Sequence, residues 1–188
     1  IAWATTLNVY NTGPPVESDI PALLLKGTST SNVVNAFAGS IGMALYGGET
    51  AVMATLTIYE ASVWHRSGAI TTINLMGGGS LFLDGSGAVT TVNLDGTGTI
   101  TTLNAGNITT WNQRGASNSS ITGSTTVTTL NLHAGTMSYA GGTITTLNVR
   151  AGTTIDFSRL KAALTITNAN LYSPCTVNDP NKLVTWTN

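Results

Sequence analysis

The sequence predicts an all-β fold: a single-stranded parallel β-helix, or solenoid, with coils of about 19 residues and ladders of Asn and Thr along its length. Three observations predict it. A four-residue motif returns at nearly constant spacing. The columns formed by stacking the repeats are chemically uniform. Uncharged polar residues stand where most proteins carry charge.

The motif is Thr-Thr-apolar-Asn, at Thr71-Thr72-Ile73-Asn74, Thr90-Thr91-Val92-Asn93, Thr109-Thr110-Trp111-Asn112, Thr128-Thr129-Leu130-Asn131 and Thr145-Thr146-Leu147-Asn148. Looser copies end at Asn168 and Asn188, which makes the Asn-to-Asn steps 19, 19, 19, 17, 20 and 20 residues. That period is too short for a helical repeat and suits one turn of a β-solenoid. Four places before each Asn stand Ile70, Val89, Ile108, Val127, Ile144, Leu164 and Val184; one place before stand Ile73, Val92, Trp111, Leu130, Leu147 and Thr167. Residues three apart on a straight strand face opposite ways. If both columns are buried, the chain must bend at the Thr-Thr pair, and the Asn side chains then stack amide on amide along the axis.

A second strand is expected seven to nine residues past each Asn, at Leu81/Leu83, Ile100/Thr102, Ser119/Ile121, Ile155/Phe157 and Cys175/Val177, shifted by one to Met137/Tyr139 in the 17-residue coil. Glycine-rich turns such as Gly77-Gly78-Gly79 and Gly96-Thr97-Gly98 separate the strands. Thr101-Thr102-Leu103-Asn104 is out of phase and is read as the same local motif on another face. Upstream, Thr57 takes the Asn place, Val33-Val34-Asn35 supplies an earlier coil, and Ala4-Thr5-Thr6-Leu7-Asn8-Val9 repeats the motif before Pro14-Pro15 interrupts it. The organisation expected is a less regular N-terminal arm over residues 1–32 and a parallel β-helix over 33–188, most regular over 69–188, with six to seven coils.

Composition bounds the chemistry. There are 34 Thr, 21 Gly and 17 Asn, against 7 Lys+Arg and 8 Asp+Glu, a net charge of −1. That balance excludes a bulk electrostatic grip on nucleic acid or an anionic membrane. One cysteine excludes an intrachain disulfide framework and a Cys-based zinc site. No apolar run approaches the roughly 20 residues of a membrane-spanning helix. Ile1-Ala2-Trp3 shows no basic or apolar leader pattern, so no export address is expected. Stacking explains the missing charge: a charge placed in a column meets its own copy one coil away.

Candidate sites are few. Asp84, Asp95, Asp156 and Asp179 fall in different columns, so no pair of acids converges for glycoside hydrolysis, and neither a catalytic residue nor a metal or cofactor is expected. Cys175 shares a column with Leu81, Ile100 and Ile155 and is read as a core residue. The paired Thr rows do not keep the strict repeat of an ice-binding face, since Ala69, Ala88 and Asn107 interrupt them. One column stands out: two places past the Asn come Met76, Asp95, Arg114, His133, Arg150 and Asn170. Asp95 and Arg114 are expected to pair, and Arg114, His133 and Arg150 to form a basic stripe that a partner's acidic surface could contact.

The run of Thr-Thr-apolar-Asn coils, together with Gly47-Gly48-Glu49-Thr50, the segment Thr165-Ile166-Thr167-Asn168-Ala169-Asn170-Leu171-Tyr172, then Asn178-Asp179-Pro180-Asn181 and Val184-Thr185-Trp186-Thr187-Asn188, resembles β-helical virion proteins of tailed bacteriophages, those that decorate heads or form short fibres. The resemblance covers most of the chain through fold motifs and brings no active-site motif. It implies a non-enzymatic structural virion protein, a capsid decoration or head-surface protein, often a homotrimer, assembled in the bacterial host cytoplasm. Its partners would be the major capsid protein or other virion proteins. A tail fibre or spike that binds a host glycan is the alternative; a polysaccharide-degrading enzyme is disfavoured by the scattered acids. On this reading Pro14, Pro15, Ile20 and Pro21 hold an extended docking arm, and Leu23, Leu24 and Leu25 bury against a capsid subunit or a sister chain.

Overall fold

The structure, a computed structural model, describes residues 5–17, 20–85, 87–103 and 106–187. Asn104 and Asn188 of the sequence reading lie outside them. Among the described residues the strands are, in chain order, β1 (Thr6–Val9), β2 (Leu23–Leu25), β3 (Val33–Ala36), β4 (Ser40–Met43), β5 (Met53–Ile58), β6 (Ser62–His65), β7 (Ile70–Leu75), β8 (Ser80–Asp84), β9 (Val89–Leu94) and β10 (Thr99–Leu103). They continue as β11 (Ile108–Gln113), β12 (Asn118–Thr122), β13 (Val127–Leu132), β14 (Thr136–Ala140), β15 (Ile144–Val149), β16 (Thr154–Asp156), β17 (Leu164–Leu171), β18 (Thr176–Asn178) and β19 (Val184–Trp186). Odd-numbered strands form one ten-stranded sheet and even-numbered strands a nine-stranded sheet, each pair parallel and each strand beside the next of its own set. This is the parallel β-solenoid, and at about 4.8 Å per strand step the ten-stranded sheet is roughly 43 Å tall.

The bend at the Thr-Thr pair is visible in the ladder. Ile70 pairs with Val89 and Thr72 with Thr91, but the intervening Thr71 drops out of register. The strand turns there, so that Ile70 and Ile73 are both buried, at 1% and 0% exposure, although they lie three apart. The two sheets face each other over a core of Ile, Val and Leu layers, with Trp111, Tyr139 and Phe157 as the largest fully buried side chains. Each Val, Leu or Ile so buried contributes about 1.5–3 kcal/mol relative to exposure. Cys175 packs against this core but is only partly buried.

The Asn ladder forms as hydrogen bonds. Asn93 Nδ2 donates to Asn74 Oδ1 at 3.0 Å, Asn112 to Asn93 at 3.0 Å, Asn131 to Asn112 at 2.8 Å, and Asn148 to Asn131 at 2.7 Å. Asn35 donates likewise to Asn8 at 2.8 Å, and Thr57 interrupts the series between the two runs. Every bond runs in the same direction, so the amides at each position are not interchangeable. Asn112→Asp keeps the acceptor facing Asn131 but loses the donor and turns a carboxylate oxygen toward Asn93 Oδ1. It is expected to destabilise by about 2 kcal/mol, whereas Asn74→Asp, at the foot of the run, costs less than half as much. Urea unfolding of the two variants measures the difference.

Three sequence expectations are corrected. The described part of residues 1–32 is not a separate arm: β1 pairs with β3 and β2 with β4, so among the described residues strand pairing already begins at Thr6 and continues across residue 33. The rod therefore exceeds the six to seven coils expected. The last coils are also out of the predicted register: Asn148 pairs with Asn170, not Asn168, and Ile144 with Ile166, not Leu164. Asn170 Nδ2 donates to Asn148 Oδ1 at 2.7 Å. The cause is the longer connection over residues 157–163, which makes this coil 22 residues long. In contrast, the 17-residue coil has lost one residue from each of its two turns, 133–135 and 141–143, relative to the four-residue turns beside it. The first shortened turn brings backbone carbonyls inward. Gln113, fully buried where other coils carry Leu94 and Leu132, sends its Nε2 to Ser117 O and Ala134 O, both at 3.0 Å.

His65 is another buried polar residue with a defined hydrogen bond. It sits in the column of Met43 and Leu83, 5% exposed, with Nε2–H donating to Ala51 O at 2.9 Å. Burial pushes its imidazole below the ordinary 6.5, with the Ala51 carbonyl opposing that shift. The folded pKa being the lower one, this contribution to stability is complete above about pH 6.5 and is lost as pH falls, because only the unfolded chain readily takes the proton. Denaturant midpoints between pH 8 and 5 should decline on the acid side, and His65→Met should flatten that decline.

Candidate functional site

The residues of the unusual column stack on successive coils, and the column runs further than the sequence reading placed it. The residue after the last buried position of each odd-numbered strand hydrogen-bonds through its N–H to the coil before: Asp95 to Leu75 O, Arg114 to Leu94 O, His133 to Gln113 O, Arg150 to Leu132 O. Arg114 Nη1 meets Asp95 Oδ1 at 3.1 Å, as expected, in an exposed pair contributing about 0–1 kcal/mol. Above Arg150 the column continues not with Asn170 but with Tyr172, whose N–H donates to Val149 O. The Arg150 guanidinium carbon lies 4.2 Å from the Tyr172 ring centre. Below Met76 the same column holds Tyr59, Phe37 and Tyr10, with ring centres 4.7 and 5.0 Å apart and planes within 10°. Phe37 spends both faces on its neighbours and Tyr10 and Tyr59 each stack on it, which makes this a structural ladder. Its sequence signal was present: all three lie two places past Asn8, Asn35 and Thr57.

The docking arm does not stand free. Val16 N–H donates to Ile20 O at 2.9 Å and Ile20 N–H to Glu17 O at 3.2 Å, tying Ile20 back to the segment that follows the exposed Pro14 and Pro15. Pro21 is buried, and Leu23, Leu24 and Leu25 form β2, with Leu25 inside the core at 2% exposure. Backbone pairing to β4 claims this segment for the solenoid itself.

Ile20 also helps to line a groove on the outer face of the second sheet. The outward column of this face reads Leu24, Gly42, Trp64, Phe82, Thr101, Ser120, Ser138, Asp156 and Asn178. It is apolar and aromatic in the early coils and polar in the later ones. Gly42 leaves a notch, since a Cβ there would sit 2.4 Å from Leu45 Cδ1. Leu45 fills it and draws the turn carrying Tyr46 over the sheet, after Ala44 at φ +52°. Leu45 and Tyr46 on one side and Ile20 on the other enclose about 540 Å³ above Trp64 and Phe82. Arg66 and Asp84 complete the lining, Nε to Oδ2 at 3.6 Å, and Arg66 Nη1 also donates to Leu45 O at 3.0 Å. No family model, curated protein or solved structure matches this chain.

Four further acids, Glu49, Asp156, Asp179 and Glu60, are engaged locally. Glu49 binds Lys26 at 2.9 Å, and that bond holds its carboxyl below the usual value. Burial alone would raise the Asp156 carboxyl, but hydrogen bonds from Ser158 and Asn178 and the nearby Arg159 charge bring it below its ordinary value. Asp179 caps Leu183 and Val184 N–H, and Glu60 accepts from Gly78 N–H. Among the described residues no group of three His, Cys, Asp or Glu side chains could hold a metal ion.

Proposed function

We propose that the chain is a non-enzymatic structural protein of a tailed-phage virion, a capsid decoration or head-surface protein that acts as a rigid spacer and assembles as a homotrimer on the major capsid protein. The observation that carries the reading is the engagement of Glu49, Glu60, Asp84, Asp95, Asp156 and Asp179 in turn hydrogen bonds and ion pairs on an otherwise nearly uncharged, ladder-braced rod. Such a scaffold is built for stiffness and contact, and among the described residues no carboxylate pair is poised for sugar hydrolysis. The resemblance of the Thr-Thr-apolar-Asn coils to phage virion proteins supplies the setting. The column from Asp95 to Arg150 is the contact line offered to a partner.

Electron microscopy of purified particles tests the assignment. Hundreds of copies on the head agree with it, a handful at the tail would make the protein a fibre or spike, and no copies would overturn it. A solution mass three times 19.3 kDa is expected of the trimer. Reversing the charge at Arg114 and Arg150 together should weaken particle binding without unfolding the rod.

A further inference from the structure

We infer that the groove over Trp64 and Phe82 is a binding site for a neutral saccharide. The inference does not depend on where, or on what, the rod is mounted. Its first support is the floor. Two large aromatic side chains stand side by side one strand step apart on the outer face of a sheet whose later coils present Thr101, Ser120 and Ser138 at the same place. Packing does not require them there, because the interior is filled by the alternate residues Val63, His65, Leu81 and Leu83.

The second support is the polar side of the groove. Arg66 is anchored by its bond to the Leu45 carbonyl and lies beside Asp84, so donor N–H groups and carboxylate acceptors stand together at a fixed place. The two charges offset each other, as Lys26 and Glu49 do on the neighbouring turn. Among the described lining residues a free anion or cation would meet no net charge of opposite sign. A purely apolar peptide would make no use of the hydrogen-bonding capacity that Arg66 and Asp84 keep beyond their contacts with Leu45 O and each other. A sugar ring meets both demands: its C–H face lies against the aromatic floor, and its vicinal hydroxyls accept from Arg66 and donate to Asp84. The volume, about 540 Å³, falls in the ordinary range for small-ligand sites and admits one or two sugar rings. Asp84 is the only carboxylate among the described lining residues and is held by Arg66, so the site binds without cleaving.

The test titrates the whole protein with the methyl pyranosides of glucose, mannose and galactose, with N-acetylglucosamine, and with maltose and cellobiose. Tryptophan emission and ligand-observed NMR are the readouts. At least one sugar should saturate with a dissociation constant in the millimolar range or tighter. Phe82→Thr, which installs the residue of the next coil, and Asp84→Asn should each weaken that binding by about tenfold or more while far-ultraviolet circular dichroism is unchanged. The inference is overturned if no sugar saturates below about 50 mM. It is equally overturned if binding survives both substitutions, or if sedimentation shows the face occupied by a second copy that Phe82→Thr releases.

Discussion

Gly115→Ala should be among the most damaging single-methyl additions in this protein, lowering stability by about 3 kcal/mol or more. A Cβ at this turn would fall 1.7 Å from the carbonyl oxygen of Gly96 and 2.7 Å from its carbonyl carbon, one coil away. Both obstacles are backbone, so no side chain can swing aside, and the two coils must separate. Gly96 faces Gly77 in the same way, with 2.2 Å between an added Cβ and the Gly77 oxygen. Each repeat in a solenoid is held by its neighbours. The breach should therefore also quicken amide exchange in β9 and β11 beyond its effect on the rod's ends. Gly152→Ala is the control: φ there is +79° but nothing lies within 4 Å, so only conformational strain of about 1–2 kcal/mol is expected. Thermal and urea midpoints of the pair separate collision from strain.

Trp111→Ala is expected to cost about 3–5 kcal/mol. The indole is wholly buried in a column whose neighbours are Val92 and Leu130, and no smaller residue can reach across the space it fills. Its Nε1–H has no hydrogen-bond partner. Trp111→Phe removes that unpartnered donor along with part of the ring, so its cost should stay below about 1.5 kcal/mol. Urea midpoints for both variants measure the contrast. Equal losses would mean that the indole nitrogen, rather than ring volume, matters at this site.

The central coils were legible because each is nearly a copy of the last. Once Asn74, Asn93, Asn112, Asn131 and Asn148 are aligned, every buried column follows. Legibility failed where coil length changed. In the segment around residues 164–171, two frames place an apolar residue and an Asn or Thr acceptably, and only the long connection over 157–163 selects the frame ending at Asn170. At the other end, coils of 27 and 22 residues hid the repeat, although Asn8, Asn35 and Thr57 hold the ladder positions. The 1–32 segment looked like an arm because Pro14 and Pro15 interrupt the motif, yet an interruption inside a turn leaves the flanking strands free to pair.

The contact column was half legible, since Asp95 and Arg114 follow from the period alone, while Tyr172 needed the corrected register. The groove was missed for a different reason. Trp64 and Phe82 read as ordinary strand aromatics until their outward orientation is set by Val63, His65, Leu81 and Leu83. The walls come from Ile20 and Leu45, brought there by loops with no repeat to follow.

Hydrogen bonds between parallel strands alternate in direction and largely cancel. The Asn side chains do not alternate: from Asn170 back to Asn74, and again from Asn35 to Asn8, each N–H points toward the earlier coil. Their dipoles add, as peptide dipoles do along a helix, and each amide polarises the next. The rod thus has an electrical sense of direction although its net charge is only −1. Two such rods joined end to end continue the chain of amides in one orientation and oppose it in the other.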